Sequence, residues 1–326
     1  MIRLTKVEMR RLFARRLTMI GLLGAVLGSG LLLFGIYQDS KPLPAEQVAM
    51  ARVEFDRYVK SYPADLERCK ADEAKARETD PGVQMGCDQM QPPVWEQWIK
   101  PETVFSEALP SYLLGGSYLL IFVAFLLGAG FIGAEFSSGS IGSWLTFEPR
   151  RLRVYASKLL AAFNGVIPLA LGFFALLVAG AWVVIDRNGR TAGMTAERWG
   201  DFAEAGLRIT VLTAVVAALG VVVGGLFRHT AAALGLAMVY LVVVEGMLGQ
   251  LLTNQQPWLL RLNLDSWINH GTTYYVQKCA PVEGGGYGCD SVLKHLSFGH
   301  SALYLAVLTA ALVALGAIVF RRRDVN

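Results

Sequence analysis

Charge is scarce in this chain. Asp, Glu, Lys and Arg make up 17% of its 326 residues, where a soluble domain carries about 25%. The deficit falls in windows of about 20 residues that hold almost no charge, each long enough to cross a hydrocarbon core of about 30 Å. A soluble globular protein is thereby excluded. The apolar runs are continuous and show no alternation, which excludes a transmembrane barrel and leaves helices as the elements that satisfy their own backbone hydrogen bonds in lipid. Catalytic and nucleotide-binding motifs are missing as well. There is no G-x-x-x-x-G-K-[ST], so the chain cannot cradle a nucleoside triphosphate by a P-loop, and there is no H-E-x-x-H and no C-x-x-C. The four histidines, His229, His270, His295 and His300, are dispersed. A spacing of five, as between His295 and His300, does not place two ligands on one helix face, so no metal site is expected and no catalytic residue stands out. The run GGGYG (284–288) follows no strand that the pattern reveals and reads as a flexible loop.

What the chain does contain is six apolar runs, at about 17–37, 111–133, 159–185, 207–227, 231–252 and 299–320. The fourth and fifth are parted only by the polar turn Arg228-His229-Thr230. Basic residues lie in the segments at one end of this array: Arg3, Lys6, Arg10, Arg11, Arg15 and Arg16 at the start, Arg150, Arg151, Arg153 and Lys158 after the second run, Arg228 in the turn, and Arg321, Arg322 and Arg323 at the close. The positive-inside rule makes that end cytoplasmic, with both termini inside. The opposite segments, 38–110, 186–206 and 253–298, are mixed or acidic, so the net charge of +4 conceals an asymmetric protein. A basic inner face serves topology and lipid headgroups, and no nucleic acid is implied. The first run is too long for a signal-peptide core and no A-x-A site closes it, so a retained first span is expected.

The segments between the runs have characters of their own. Residues 1–16 include RLTKVEMRRLFARR, with Met9, Leu12 and Phe13 on one helical face among basic residues, which predicts an interfacial helix. Residues 38–110 predict a helical outer hairpin. Val48, Arg52, Phe55, Tyr58, Val59 and Tyr62 form a partial stripe interrupted by Pro63, TDPG (79–82) is a turn signal, and Trp95 and Trp98 bring the return limb back toward a membrane interface. Residues 253–298, with Trp258, Trp267, Tyr274 and Tyr275, predict a short re-entrant or interfacial element followed by a loop. All four cysteines lie in outer segments, where an oxidising exterior favours pairing. Three pairings are open to them. Loop entropy favours Cys69–Cys87 and Cys279–Cys289 over a bridge between the two loops. Inside the fifth run, Glu245 is a translocation-path or proton-linked candidate, because a charge there costs several kcal/mol unless paired or hydrated. With no basic partner in a neighbouring run, a hydrogen-bonded carboxyl at a helix interface is the preferred reading. Gly24/Gly28 and Gly220/Gly224 are G-x-x-x-G pairs that permit close helix approach, and Asn164 and Pro168 mark a local bend in the third run.

The segment AEFSSGSIGSWLTFEPRRLRVYASK (134–158) lies between the second and third runs. Glu135 sits at the inner mouth of the second run. Ser137 or Ser138 is placed to cap a new helix, on which Ile141, Trp144 and Leu145 share a face at i, i+3 and i+4. Pro149 ends it, and Arg150, Arg151 and Arg153 lead into the third run. A short amphipathic helix of this kind can lie in the headgroups or dock in a groove on a soluble partner.

The order E-F-S-S-G-S-I…L-T…P-R-R…K-L-L resembles the inner-loop signature of ABC transporter type-2 permeases, E-x-x-S-G-T-I…L-x-x-P-x-S-R…x-K-x, and FRRRDV (320–325) is similar to the family's F-x-x-R-D-hydrophobic ending. Ser140 in place of Thr, FEPRR in place of P-x-S-R, and the long first outer segment depart from the pattern. The resemblance implies an all-α polytopic membrane protein in which 1–326 form one transmembrane permease domain with a cytosolic coupling helix. It implies no enzyme activity and no cofactor in this chain. ATP and Mg would be bound by two separate ABC ATPase subunits, and a second permease chain would complete a homodimer or heterodimer. By the same resemblance Glu135, Ser138, Ile141, Trp144, Leu145 and Arg150 are the ATPase-contact residues, with helix 3–16 as a second contact surface. The implied function is ATP-driven export or extraction of a drug, antimicrobial peptide or lipid across a bacterial plasma membrane; the excess of Arg over Lys agrees with a GC-rich bacterial source. Two further readings compete: a non-transporting membrane scaffold whose outer hairpin binds a peptide or cell-wall ligand, and an ion-coupled carrier that uses Glu245.

Overall fold

Six helices long and apolar enough to cross a membrane form the body of the protein. The computed structural model describes residues 2–80, 82–251, 253–281 and 287–322. In chain order, α1 (Ile2–Phe13) precedes the first span, α2 (Arg16–Ser40), and α3 (Ala45–Thr79) projects beyond it. After α4 (Trp95–Trp98) come the second span α5 (Phe105–Ser137), the short α6 (Ser140–Phe147), the third span α7 (Arg151–Asn188) and the fourth, α8 (Ala196–Phe227). The fifth span begins as α9 (Thr230–Val239), widens to a π-helix over Tyr240–Leu248, and passes through α10 (Gly249–Leu251) and a 3-10 turn (Thr253–Trp258) to α11 (Leu260–Ile268). Strands β1 (Gly271–Pro281) and β2 (Tyr287–Ser297) then lead into the last span, α12 (Phe298–Arg322). The chain is an all-α polytopic membrane protein with one β-hairpin appended.

The centre of the bundle is the contact of α5 with α8, and glycine makes it possible. A Cβ on Gly128 would collide with the Ala217 carbonyl oxygen and one on Gly220 with that of Phe125, while one on Gly224 would lie 2.6 Å from the Ala129 oxygen. These backbones touch where other helices interpose side chains. The two G-x-x-x-G pairs therefore differ in use: Gly24 faces open space and Gly28 faces only the Leu119 side chain. Two apolar layers fill the bundle. One, at the end bearing α1 and α6, includes Leu12, Phe131, Ile141, Val221 and Phe320. The other, at the far end, includes Ile36, Phe105, Leu109, Phe202 and Ile268. Helix α7 runs unbroken through Asn164 and Pro168, with Asn164 Nδ2 donating to the Leu160 carbonyl at 2.7 Å, and Tyr155 ties it to α12 by donating to the Val313 carbonyl at 3.0 Å.

The structure departs from the sequence reading in three ways. The first outer segment is one long helix with an extended return limb. At about 1.5 Å per residue α3 reaches about 50 Å, and it continues through Pro63. The return limb is kept from helix by Gly82, Gly86, Pro92 and Pro93. It is held by the Cys69–Cys87 disulfide, by Tyr62 Oη donating to the Met90 carbonyl at 3.0 Å, and by Phe55 set 5.3 Å from Trp95 and 5.9 Å from Trp98. The fifth span is not one α-helix to 252; it is broken from Tyr240 onward. The loop expected after α11 is a two-stranded antiparallel ribbon in register Gly271↔Ser297, closed by Cys279–Cys289. Val276 and Leu296 on one face are buried, while Tyr275 and Leu293 on the other are exposed. The run GGGYG thus follows a strand, contrary to the sequence reading. Its residues 284–286 lie outside the described residues, as do Pro81 of the TDPG turn and residues 323–325 of the FRRRDV ending.

Close α5–α8 contact generates a test. Gly128→Val is expected to destabilise by about 1–3 kcal/mol, the usual cost of overpacking, read as a lower midpoint of thermal unfolding in detergent. Gly24→Val, set in open space, should leave the midpoint unchanged.

Candidate functional site

Five charged side chains meet at the end of the bundle that carries α1 and α6. Glu8 comes from α1, Arg11 and Arg15 from its last turn and the link to α2, Glu135 from the last turn of α5, and Lys158 from the third turn of α7. Lys158 is fully buried, 0% exposed, and its Nζ lies 2.6 Å from Glu135 Oε2 and 3.0 Å from Glu8 Oε1. Arg15 reaches Glu135 Oε1 at 2.7 Å and Arg11 reaches it at 3.2 Å. Phe131 lies beneath this group, with Arg15 and Lys158 each 5.0 Å from its ring centre. Each acid is shared by two or more bases, which is how carboxylates persist in a site from which water is excluded. Burial lowers the Arg15 pKa from its ordinary value, and the Glu135 carboxylate opposes that shift.

The chain folds this way for local reasons. Arg15 is extended (φ −81°, ψ 139°), which breaks α1 from α2, and Thr18 Oγ1 donates back to the Leu12 carbonyl at 2.5 Å. The break turns α1 across the bundle, so Glu8 and Leu12, one turn apart, both point inward. The predicted interfacial helix is therefore docked by a polar-and-apolar stripe: Leu12 is buried, Met9 packs on the same core layer, and Phe13 is exposed.

Helix α6 begins where α5 stops. Gly139 holds φ +69° at its N-cap, a left-handed conformation that favours glycine. Ser137 and Ser138 do not cap α6; their hydroxyls turn back to the Ala134 and Glu135 carbonyls at 3.1 and 3.4 Å, the ordinary behaviour of serine in a last helical turn. Two expected partner-contact residues are buried within this chain: Glu135 and Ile141 are each 1% exposed, one engaged by three bases and the other in the core. Leu145 packs partly on the same core. Trp144 is half-buried beneath Arg11, whose guanidinium lies 5.0 Å from the ring centre. Ser138 and Arg150 are exposed. Sequence reasoning passed over the outward side of α6: Ser143, Thr146 and above all Phe147, 83% exposed. The available signal was Phe147 lying about 120° from Ile141 on a helical wheel, an aromatic off the apolar stripe.

Glu245 has a definite set of partners. Its Oε1 accepts from Tyr240 Oη at 2.8 Å and from the backbone N–H groups of Leu260 and Arg261 at 2.7 and 3.2 Å. It therefore caps α11 from another element, accepting from two of the N–H groups that a helix N-terminus leaves free. This is the structural reading of that residue, and the cap ties the broken end of the fifth span to α11. Among the described residues no group of three or more His, Cys, Asp or Glu is arranged to hold a metal.

Residues 103–326 match the family described as "Protein of unknown function (DUF2705)". The matched region begins at the start of α5, so it holds Glu135, Lys158 and α6 but not Glu8, Arg11 or Arg15. No curated protein matches the chain.

The buried ion group predicts its own sensitivity. Lys158→Met takes the fully buried base away from both carboxylates and is expected to cost about 3–5 kcal/mol, seen as a large drop in thermal midpoint in detergent. Arg150→Met, at the exposed N-cap of α7, should stay within about 0.5 kcal/mol of the wild type.

Proposed function

The chain belongs to the DUF2705 family, and we propose that it is the membrane-spanning permease subunit of an ATP-driven transporter whose ATPase is a separate polypeptide. The single observation that carries the reading is α6 with its surroundings. An eight-residue helix stands between the second and third spans, at the basic end, with Phe147, Ser143 and Thr146 outward and Ile141 anchored in the core. A helix so placed has one face to hold it and one face to offer. The basic flanks make that end cytoplasmic under the positive-inside rule, where an ATPase would be. The resemblance of E-F-S-S-G-S-I…P-R-R to the inner loop of ABC type-2 permeases supports the same reading.

Force on α6 would reach the spans through short, stiff links. Ile141 is set in the core layer, Trp144 lies under Arg11, and Glu135 at the end of α5 is joined to α7 by Lys158 and to the α1–α2 junction by Arg15. Two ATPase subunits closing on ATP would therefore tilt packed helices as a body. A second permease chain would supply the other wall of the path, and the substrates in view are a drug, an antimicrobial peptide or a lipid. The chain itself contributes no catalytic residue and no cofactor. The plasma membrane of a bacterium, with both termini inside, is the setting this assigns.

The scaffold reading draws support from α3, a 35-residue helix that stands clear of the bundle and exposes Met50 and Val53. One experiment separates the two. The chain is co-expressed with a candidate ABC ATPase, purified through the permease, and assayed for ATP hydrolysis in lipid. A stable complex is expected, with recovery reduced about tenfold or more by Phe147→Asp and hydrolysis altered by Trp144→Asp. No complex, or one indifferent to both changes, would remove the permease reading and leave the scaffold ahead.

A further inference from the structure

At the end of the bundle opposite the ion group, a trough of about 390 Å³ opens sideways between α2 and α5, within the range of about 300–1,000 Å³ usual for small-molecule sites. Its wall is mainly apolar: Ile36 is buried at the base, Leu32 and Gly35 flank it and the exposed Leu31 stands at the lower edge, with Gln38 the one polar side chain short of the mouth. Its rim is polar. Asp39 lies at the mouth, accepting from Tyr112 Oη at 3.1 Å. Lys100 stands beside it, with Nζ 3.6 Å from the Asp39 carboxylate and donating to the Asp39 carbonyl. Both charged side chains remain open to solvent, Asp39 the more so. From Asp39 back to Leu31 is eight residues, or about 12 Å of helix. The trough is thus apolar along its length and zwitterionic at one end.

We propose that this trough binds one phospholipid with an ammonium headgroup. Its acyl chain lies along Leu31, Leu32, Gly35 and Ile36, its ammonium meets Asp39, and its phosphate meets Lys100. Charge complementarity selects this occupant. A carboxylate and an ammonium side by side carry no net charge, so they do not favour a net-anionic lipid, but they match both charges of a zwitterion by charge-assisted hydrogen bonds. Gly35 supports the assignment in another way: a Cβ there would meet nothing within 4 Å, so the wall is open where a chain would lie. The site stands whether or not an ATPase docks at α6, because it lies at the other end of the bundle and uses none of the same residues.

The test is native mass spectrometry of the detergent-purified chain after exposure to micelles holding equal phosphatidylethanolamine and phosphatidylglycerol. The wild type should retain one phosphatidylethanolamine, preferred by about threefold, the discrimination that one exposed ion pair supplies. Asp39→Asn, which leaves Lys100 uncompensated, should abolish the preference for phosphatidylethanolamine or turn it toward phosphatidylglycerol. Gly35→Leu, which adds a side chain to open space and leaves packing intact, should lose the retained lipid without lowering the thermal midpoint. Gly30→Leu, equally open but outside the trough, should retain it. The proposal is overturned if Gly35→Leu keeps the lipid, if Gly30→Leu loses it equally, or if the wild type prefers phosphatidylglycerol. A doubled mass with no lipid overturns it too, since a second copy then covers the trough.

Discussion

The contact on which the rest of the molecule turns is the one between Lys158 and Glu135, 2.6 Å apart with both side chains buried. An isolated charge in such a place would cost several kcal/mol, so each is kept only in company with opposite charges: Lys158 with Glu135 and Glu8, Glu135 with Lys158, Arg15 and Arg11. Together they cross-link the last turn of α5 to the start of α7, the two ends from which α6 is hung. Glu8 and Arg15 extend the group to α1 and to the junction with α2. Five groups of two signs, three bases and two acids, leave a residual positive charge facing the basic end. The network explains why a helix that looks fit to float in headgroups is instead packed on the bundle. It also explains how a segment of eight residues can hold a fixed position outside the spans.

The far end is held by different means. Among the described residues no buried ion group serves there. Hydrogen bonds to backbone do the work: Glu245 caps α11, Arg208 Nε donates to the Ile268 carbonyl at 3.1 Å, and Trp267 Nε1 donates to that of Arg208 at 2.9 Å. Tyr118 Oη meets Asp265 Oδ1 at 2.5 Å, joining α5 to α11. These bonds matter because Tyr240–Leu248 is π-helical and Thr253–Trp258 is 3-10, and such backbone is tolerated at membrane depth only where its polar groups find partners. Two disulfides secure the parts that protrude furthest, α3 with its return limb and the β-ribbon. A two-stranded ribbon is marginal by itself.

Packing is uneven across the spans, and the unevenness bears on function. Helices α5 and α8 are buried along much of their length, while α2, the fifth span and α12 expose most of theirs. The exposed apolar surfaces are the ones a membrane-spanning bundle turns to lipid, and the trough beside Asp39 opens on one of them. The two ends of the molecule therefore offer different chemistry: at one, an aromatic residue on a short helix among basic side chains; at the other, a neutral pair of charges above an apolar wall.

Much of this was legible in the residues themselves. The six spans, their order and the helical class follow from long uncharged runs, since lipid leaves the backbone no other choice. The stop of α6 before Pro149 was legible, whereas its start was read as a serine cap and is set instead by Gly139 in a left-handed conformation. Burial direction was not legible. Glu135 and Lys158 read as ordinary mouth charges because their partners, Glu8 and Arg15, lie more than a hundred residues away in sequence. Ile141 and Phe147 are both apolar residues of one short helix, and only the position of α5 and α7 decides which is anchored and which is offered. The ribbon was hidden because its strands alternate only weakly and need each other to pair. The sequence by itself determined which segments enter the membrane, because transfer from water is a property of each segment alone. The tertiary structure decided which charges are locked together and which helix face is free, because those depend on what the other segments bring alongside.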